Sequence, residues 1–343
     1  MWGLVRSSAR TILALLGVIA AVATAHPATT HERQLKERFA FWEAEARLCS
    51  AGEFSFPTKD HEISPELCGD GDMTMFNGLL CFSGEAKGCK AVIDAQDPTT
   101  GQWFRSPRIR LLGSNDRGDA SFSPDMSLGV QLYLVTTGDV ARAEKWANWL
   151  DRLTPCAIER PWPWKHGCWV WGVPTFCTEV AGCIMRPGDA ASLASTFDYL
   201  HENKGMASLR DGSRLRGYLS SWKNWGDFLA DWSASLNKPG YSQHLVAVEV
   251  VLHRKTSGDN ENIRSIANRL AKKTENTGNA FFAYIAGAGR DEIIAQTLER
   301  CPSPGNLPTP PLIQWQWERD NSSKAWLQSS YWDCIFMGRL LGL

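Results

Sequence analysis

Cys68 to Cys81 reads Cys-Gly-Asp-Gly-Asp-Met-Thr-Met-Phe-Asn-Gly-Leu-Leu-Cys, with Asp70 and Asp72 at the mouth of an apolar, helix-like stretch. Free backbone N–H groups and the helix dipole stabilise carboxylates at such a start, so capping alone accounts for acids there. The same position also projects a carboxylate into whatever cleft the helix ends face, and paired carboxylates carry the acid and base steps of glycosidic-bond hydrolysis. Ser121-Phe-Ser-Pro-Asp-Met-Ser-Leu-Gly129 is a second loop-to-helix start, with Asp125 next to Pro124. An inverting hydrolase needs a protonated carboxyl for the leaving oxygen and an ionised one for water, about 6.5 to 9.5 Å apart. Asp72 as acid and Asp125 as base are the expected catalytic pair, Asp70 an expected substrate contact, and Glu85, Glu179 and Asp333 the reserves.

Sixteen tryptophans supply the second chemical signal. The C–H faces of sugars pack on aromatic rings, so the loop residues Trp103, Trp162, Trp164, Trp169, Trp171, Trp315 and Trp317 are candidate platforms. Trp146, Trp149, Trp222, Trp225 and Trp232 lie on amphipathic helical patterns and are expected in the core. Tyr241 and His244, one helical turn apart after Pro239-Gly240, define an alternative: a polysaccharide lyase that removes and returns a proton. A third reading is a glycan-binding envelope protein without turnover.

Composition excludes several classes. A formal net charge of −1 and the lack of basic runs give no attraction to nucleic acid. There is no Gly-x-Ser-x-Gly elbow, phosphate-binding glycine loop or His-Glu-x-x-His site, and no cofactor or metal is expected. Arg6 and Arg10 before the apolar run Thr11 to Ala23, followed by Ala23-Thr24-Ala25, read as an export signal over residues 1–25. That run is shorter than the ~20 residues a membrane span needs, so no span is expected after cleavage. Ten cysteines fit a secreted or periplasmic location with several disulfides, a small Cys81–Cys89 loop among them.

The elements that must position these residues are helices. Three-and-four apolar spacing predicts them over 33–49, 124–137, 140–150, 189–201, 215–236, 242–255, 260–273, 280–286, 291–300 and 330–341, with no series of alternating strands. Thr136-Thr-Gly-Asp139 and Thr256-Ser-Gly-Asp259 each join two such helices, with glycine to end one and aspartate to cap the next. Helical hairpins of this kind close into a ring, although a bundle or an open solenoid uses the same unit. Residues 26–343 show no composition break and read as one domain.

Asp70-Gly-Asp-Met-Thr-Met-Phe-Asn-Gly-Leu-Leu80 resembles the Asp-Gly-Asp-Leu-x-Ile-Ala-x-Ala-Leu-Leu segment of inverting cellulases and chitosanases with an (α/α)6 toroid. The likeness covers about a dozen residues and lacks that family's separate glutamate motif. It implies an all-α (α/α)6 toroid of helical hairpins; the long disulfide-held loops are read from this chain's own cysteines, which are far more numerous than that family's. It also implies that Asp70 and Asp72 line the sugar subsite where the bond is cut.

Overall fold

The computed structural model describes residues 29–60, 68–69, 71–159, 168–179, 182–238, 240–275, 278–306 and 331–343; for Lys59, Asp60, Cys68, Glu159, Trp169 and Trp171 it describes the backbone alone. The chain is mostly helical. The helices are α1 (Thr30–Glu45), α2 (Met73–Phe82), α3 (Ala86–Asp94), α4 (Pro107–Leu112), α5 (Met126–Thr137), α6 (Val140–Leu153) and α7 (Pro187–Lys204). They continue with α8 (Arg214–Trp222), α9 (Gly226–Leu236), α10 (Tyr241–Ser257), α11 (Glu261–Lys273), α12 (Ala280–Ile285), α13 (Arg290–Arg300) and α14 (Tyr331–Leu340). Three two-stranded antiparallel hairpins sit in the connections: β1 (Leu48–Ala51) with β2 (Phe54–Pro57), β3 (Lys59–Asp60) with β4 (Cys68–Gly69), and β5 (Cys156–Glu159) with β6 (Cys168–Trp171).

Two kinds of helix alternate along the chain. α2, α5, α12 and α14 are buried on nearly every face, whereas α3, α6, α11 and α13 bury one stripe and leave the rest to water. An all-round apolar helix must be enclosed by others, and a striped one must lie outside them. The packing follows that rule: α5 touches α2, α7 and α10, α10 touches α7 and α12, and α14 touches α2. The outer helices cover these, α3 on α2, α6 on α5 and α7, α9 on α7 and α10, α11 on α10 and α12, α13 on α12, and α1 on α14. One core cluster runs through them from Leu35 to Leu341.

The tightest crossing joins α2 to α5 through two glycines. A Cβ on Gly129 would lie 2.4 Å from the Met75 Cα and the Thr74 carbonyl oxygen, and one on Gly78 would lie 2.2 Å from the Gly129 oxygen. Backbone meets backbone there, and the first turns of both helices are brought side by side. Gly138 closes α5 in the left-handed region at φ 71°, and Asp139 then caps α6 by accepting from the Arg142 N–H at 3.2 Å. In the second repeat the cap shifts by one residue: Asn260 takes the Ile263 N–H, while Asp259 pairs with Arg254 and Arg264.

The structure corrects two expectations about tryptophan. Trp103 is fully buried, donates its indole N–H to the Val92 carbonyl at 2.8 Å and meets Trp146 edge-on, so it is core and not a sugar platform. The helix expected over 215–236 instead breaks at a 3-10 turn, Lys223–Trp225, before Gly226, and Trp225 and Trp232 face solvent. Trp146 and Trp149 are buried as expected.

Disulfides join Cys81 to Cys89, Cys156 to Cys168, Cys177 to Cys183 and Cys301 to Cys334, and Cys49 is disulfide-bonded as well. Such bonds persist in an oxidising compartment. Among the described residues no helix is long and apolar enough to cross a membrane.

Candidate functional site

Asp72 precedes α2 at φ 56°, and among the described residues it is the one non-glycine with positive φ. Aspartate tolerates that left-handed conformation, at a cost of order 1 kcal/mol that persists where surrounding structure imposes it. Its carboxylate makes no capping hydrogen bond. Instead it pairs with Arg105 at 3.0 Å, from a side chain 30% exposed. Arg105 is held in turn: its Nε donates to the Ala120 carbonyl at 2.6 Å, its N–H to the Ser121 carbonyl at 2.9 Å, and its own carbonyl accepts from the Thr74 N–H at 2.9 Å. Asp70 lies outside the described residues.

Asp125 precedes α5 and makes no capping bond either. One of its oxygens accepts the Ser123 hydroxyl at 2.5 Å and the other the Tyr241 hydroxyl. Two donors fix the direction of both oxygens and leave lone pairs for a substrate or water. Tyr241 is the first residue of α10, and its hydroxyl also lies 3.9 Å from the Met75 sulfur, so the starts of α2, α5 and α10 meet at this point.

His244 lies one turn further along α10. The ring is 1% exposed, among Tyr241 at 6.4 Å, Phe76 at 6.0 Å and Phe281 at 5.9 Å between centroids.

A third carboxylate joins them through the segment between Ala120 and Asp125. The Ser121 hydroxyl donates to Glu179 Oε2 at 2.9 Å, and Glu179 sits in a loop closed by the Cys177–Cys183 disulfide. Cys177, Glu179 and Cys183 are spaced as metal ligands, but the two sulfurs are spent on each other. At the start of α7, Arg186 makes two 2.9 Å bonds to Asp189, which keep its guanidinium proton affinity above the ordinary arginine value; the charges of Asp125 and Glu249 add to this. Burial pushes the Glu249 carboxyl up to about 7, with the Asp189 charge raising it further and Arg186 opposing.

The other expected residues divide cleanly. Glu85 caps α3 by accepting from the Lys87 N–H at 3.1 Å and pairs with Arg339 at 3.1 Å, a structural task. Asp333 is fully buried in α14 and accepts the Cys334 N–H. Trp162, Trp164, Trp315 and Trp317 lie outside the described residues, and Trp169 and Trp171 are described as backbone of β6. A surface hollow of about 760 Å³ between α6 and residues 206–213 includes none of these acids.

Arg105 and Glu249 had no signal in the sequence, because Asp72 and Asp189 are distant from them in the chain, while Arg186 showed only as part of the Arg186-Pro-Gly-Asp189 helix start. No family model matches this chain, and no curated protein or solved structure matches it either.

Proposed function

We propose that this protein is an exported glycoside hydrolase of the inverting type, acting on a polysaccharide or cell-wall glycan. The observation that carries the reading is the gathering of three acids: Asp72 and Asp125 at the starts of adjacent helices, neither used as a cap and each held sideways by a partner, with Glu179 tied to the segment before Asp125 through Ser121. Capping would have made the first two structural. In this reading α2, α5, α7, α10, α12 and α14 form the inner ring of an (α/α)6 toroid, with the striped helices outside. Successive inner helices then run parallel and direct their starts to one end, where Asp72, Asp125, Arg186 and Tyr241 gather.

The contacts favour a different division of labour from the one spacing suggests. Asp72 spends an oxygen on the Arg105 guanidinium at 3.0 Å, a contact that suits it to hold substrate rather than to deliver a proton. Asp125, oriented by Ser123 and Tyr241, is the base that activates water. Glu179 has a neutral hydroxyl as its described hydrogen-bond partner and takes the role of acid, while Asp72 and Arg105 hold sugar hydroxyls.

The test is an incubation with neutral, amino-sugar and uronic-acid glycans, reading reducing ends and ultraviolet absorbance together. New reducing ends without absorbance are expected. Absorbance from an unsaturated product would replace the hydrolase with a lyase working through Tyr241.

A further inference from the structure

The exposed face of α9 is the largest feature that the site leaves unexplained. Trp225, Phe228, Trp232 and Leu236 recur at intervals of three and four along it and are 50%, 56%, 53% and 67% exposed. The opposite face, Ala230 and Ala234, is buried, and the helix is tied down by Asp227 to His253 at 3.0 Å and by Asp231 to Arg269 at 2.9 Å. A helix so fixed cannot roll its aromatic side inward. A contiguous apolar stripe of this kind on a water-facing helix marks a binding surface.

We propose that α9 docks the protein on the surface of an anionic phospholipid bilayer, with the aromatic stripe seated at the boundary of headgroups and acyl chains. Three observations select this occupant. First, the rings of Trp222 and Trp225, Trp225 and Phe228, and Phe228 and Trp232 meet at 66°, 80° and 53°. A sugar chain stacks on ring faces that share a plane, which these do not, whereas a ridge of ring edges suits an interfacial layer.

Second, an 11-residue helix is about 16 Å long, and four side chains on it supply far less than the ~800 Å² per partner of a stable protein interface. Third, the charge complements anionic lipid. Lys238 stands at the C-terminal end of the stripe, and Lys273 donates to the carbonyls of Ala234, Ser235 and Asn237 at 2.7, 2.9 and 3.0 Å, placing a cation over the helix C-terminus, while Lys223 at the other end is paired with Asp198. The acids of α9 are already occupied by His253 and Arg269. This inference stands on α9 alone and does not depend on the hydrolase reading.

The experiment is flotation of the oxidised protein lacking residues 1–25, so that the apolar run Thr11 to Ala23 takes no part, with phosphatidylcholine vesicles and with vesicles containing 30% phosphatidylglycerol. Binding to the anionic vesicles is expected, with tryptophan emission shifted to the blue. Trp232→Ser with Phe228→Ser lowers the partition coefficient at least tenfold at unchanged melting temperature. Lys238→Gln lowers it about fivefold on anionic vesicles alone. A protein that floats with neither vesicle, or whose binding ignores the α9 substitutions, overturns the proposal. So does a dimer in light scattering that the substitutions dissolve while vesicles remain unbound.

Discussion

Replacing Gly129 with alanine probes the contact that aligns the two acid-bearing helices. The added Cβ falls 2.4 Å from the Met75 Cα and the Thr74 oxygen and 2.8 Å from the Met75 oxygen, all backbone atoms that no rotamer change can move. α2 and α5 must separate by roughly 1 Å to restore ordinary contact distance, and overpacking of this kind costs about 3 kcal/mol, the upper end of its usual range. Alanine's better helix propensity returns about 1 kcal/mol, leaving a net loss of about 2 kcal/mol. For a chain of this size that is a fall of about 3 °C in Tm. The control is Gly217→Ala in α8, where a Cβ meets nothing within 4 Å and the same propensity gain stands unopposed.

Circular dichroism melts of the oxidised proteins read both. Gly129→Ala melting at or above the wild type would refute the account of the crossing. Because the same separation moves Asp72 relative to Asp125, glycan turnover of Gly129→Ala should fall about a hundredfold at temperatures where it is fully folded.

Two further outcomes follow from charge placement. Glu249 has a folded pKa raised from 4.5 to about 7, so the native state binds the extra proton between those values and stability declines as pH rises through that window, levelling above it. Glu249→Gln should remove that slope and raise Tm at pH 8, which a pH series of melts will show; an unchanged slope would mean the carboxyl ionises freely. Arg339 bonds Glu85, itself 7% exposed, and also Glu43, so Arg339→Met strands a buried carboxylate and should cost about 2 kcal/mol in urea unfolding. Adding Glu85→Gln should recover part of that loss, and no recovery would locate the cost elsewhere.

Most helices were legible from periodicity because their ends carry ordinary capping chemistry. The expected 140–150 helix runs Val140–Leu153, started by Asp139, and the expected 280–286 helix runs Ala280–Ile285, started by Asn279. Periodicity identifies a stripe but not which way it faces. Trp225 and Trp232 carry the spacing of a core stripe and yet point outward, because Gly226 and the turn before it re-aim α9. The three short hairpins escaped notice because strands of two to four residues hold too few alternations to read.

Asp72 and Asp125 were legible as helix starts. What they do there was not, since Arg105 and Tyr241 lie 33 and 116 residues away. His244 shared a helical turn with Tyr241 in sequence, but the aromatic rings around it absorb it into the core.

The measurement that bears most directly on the central claim is reducing-end release from the glycan that the wild type cleaves, compared with Asp125→Asn at matched melting temperature. Loss of the base should lower turnover by 10² to 10⁴ while glycan binding is kept. Turnover equal to the wild type would contradict the assignment of Asp125 and with it the paired-carboxylate account of this site.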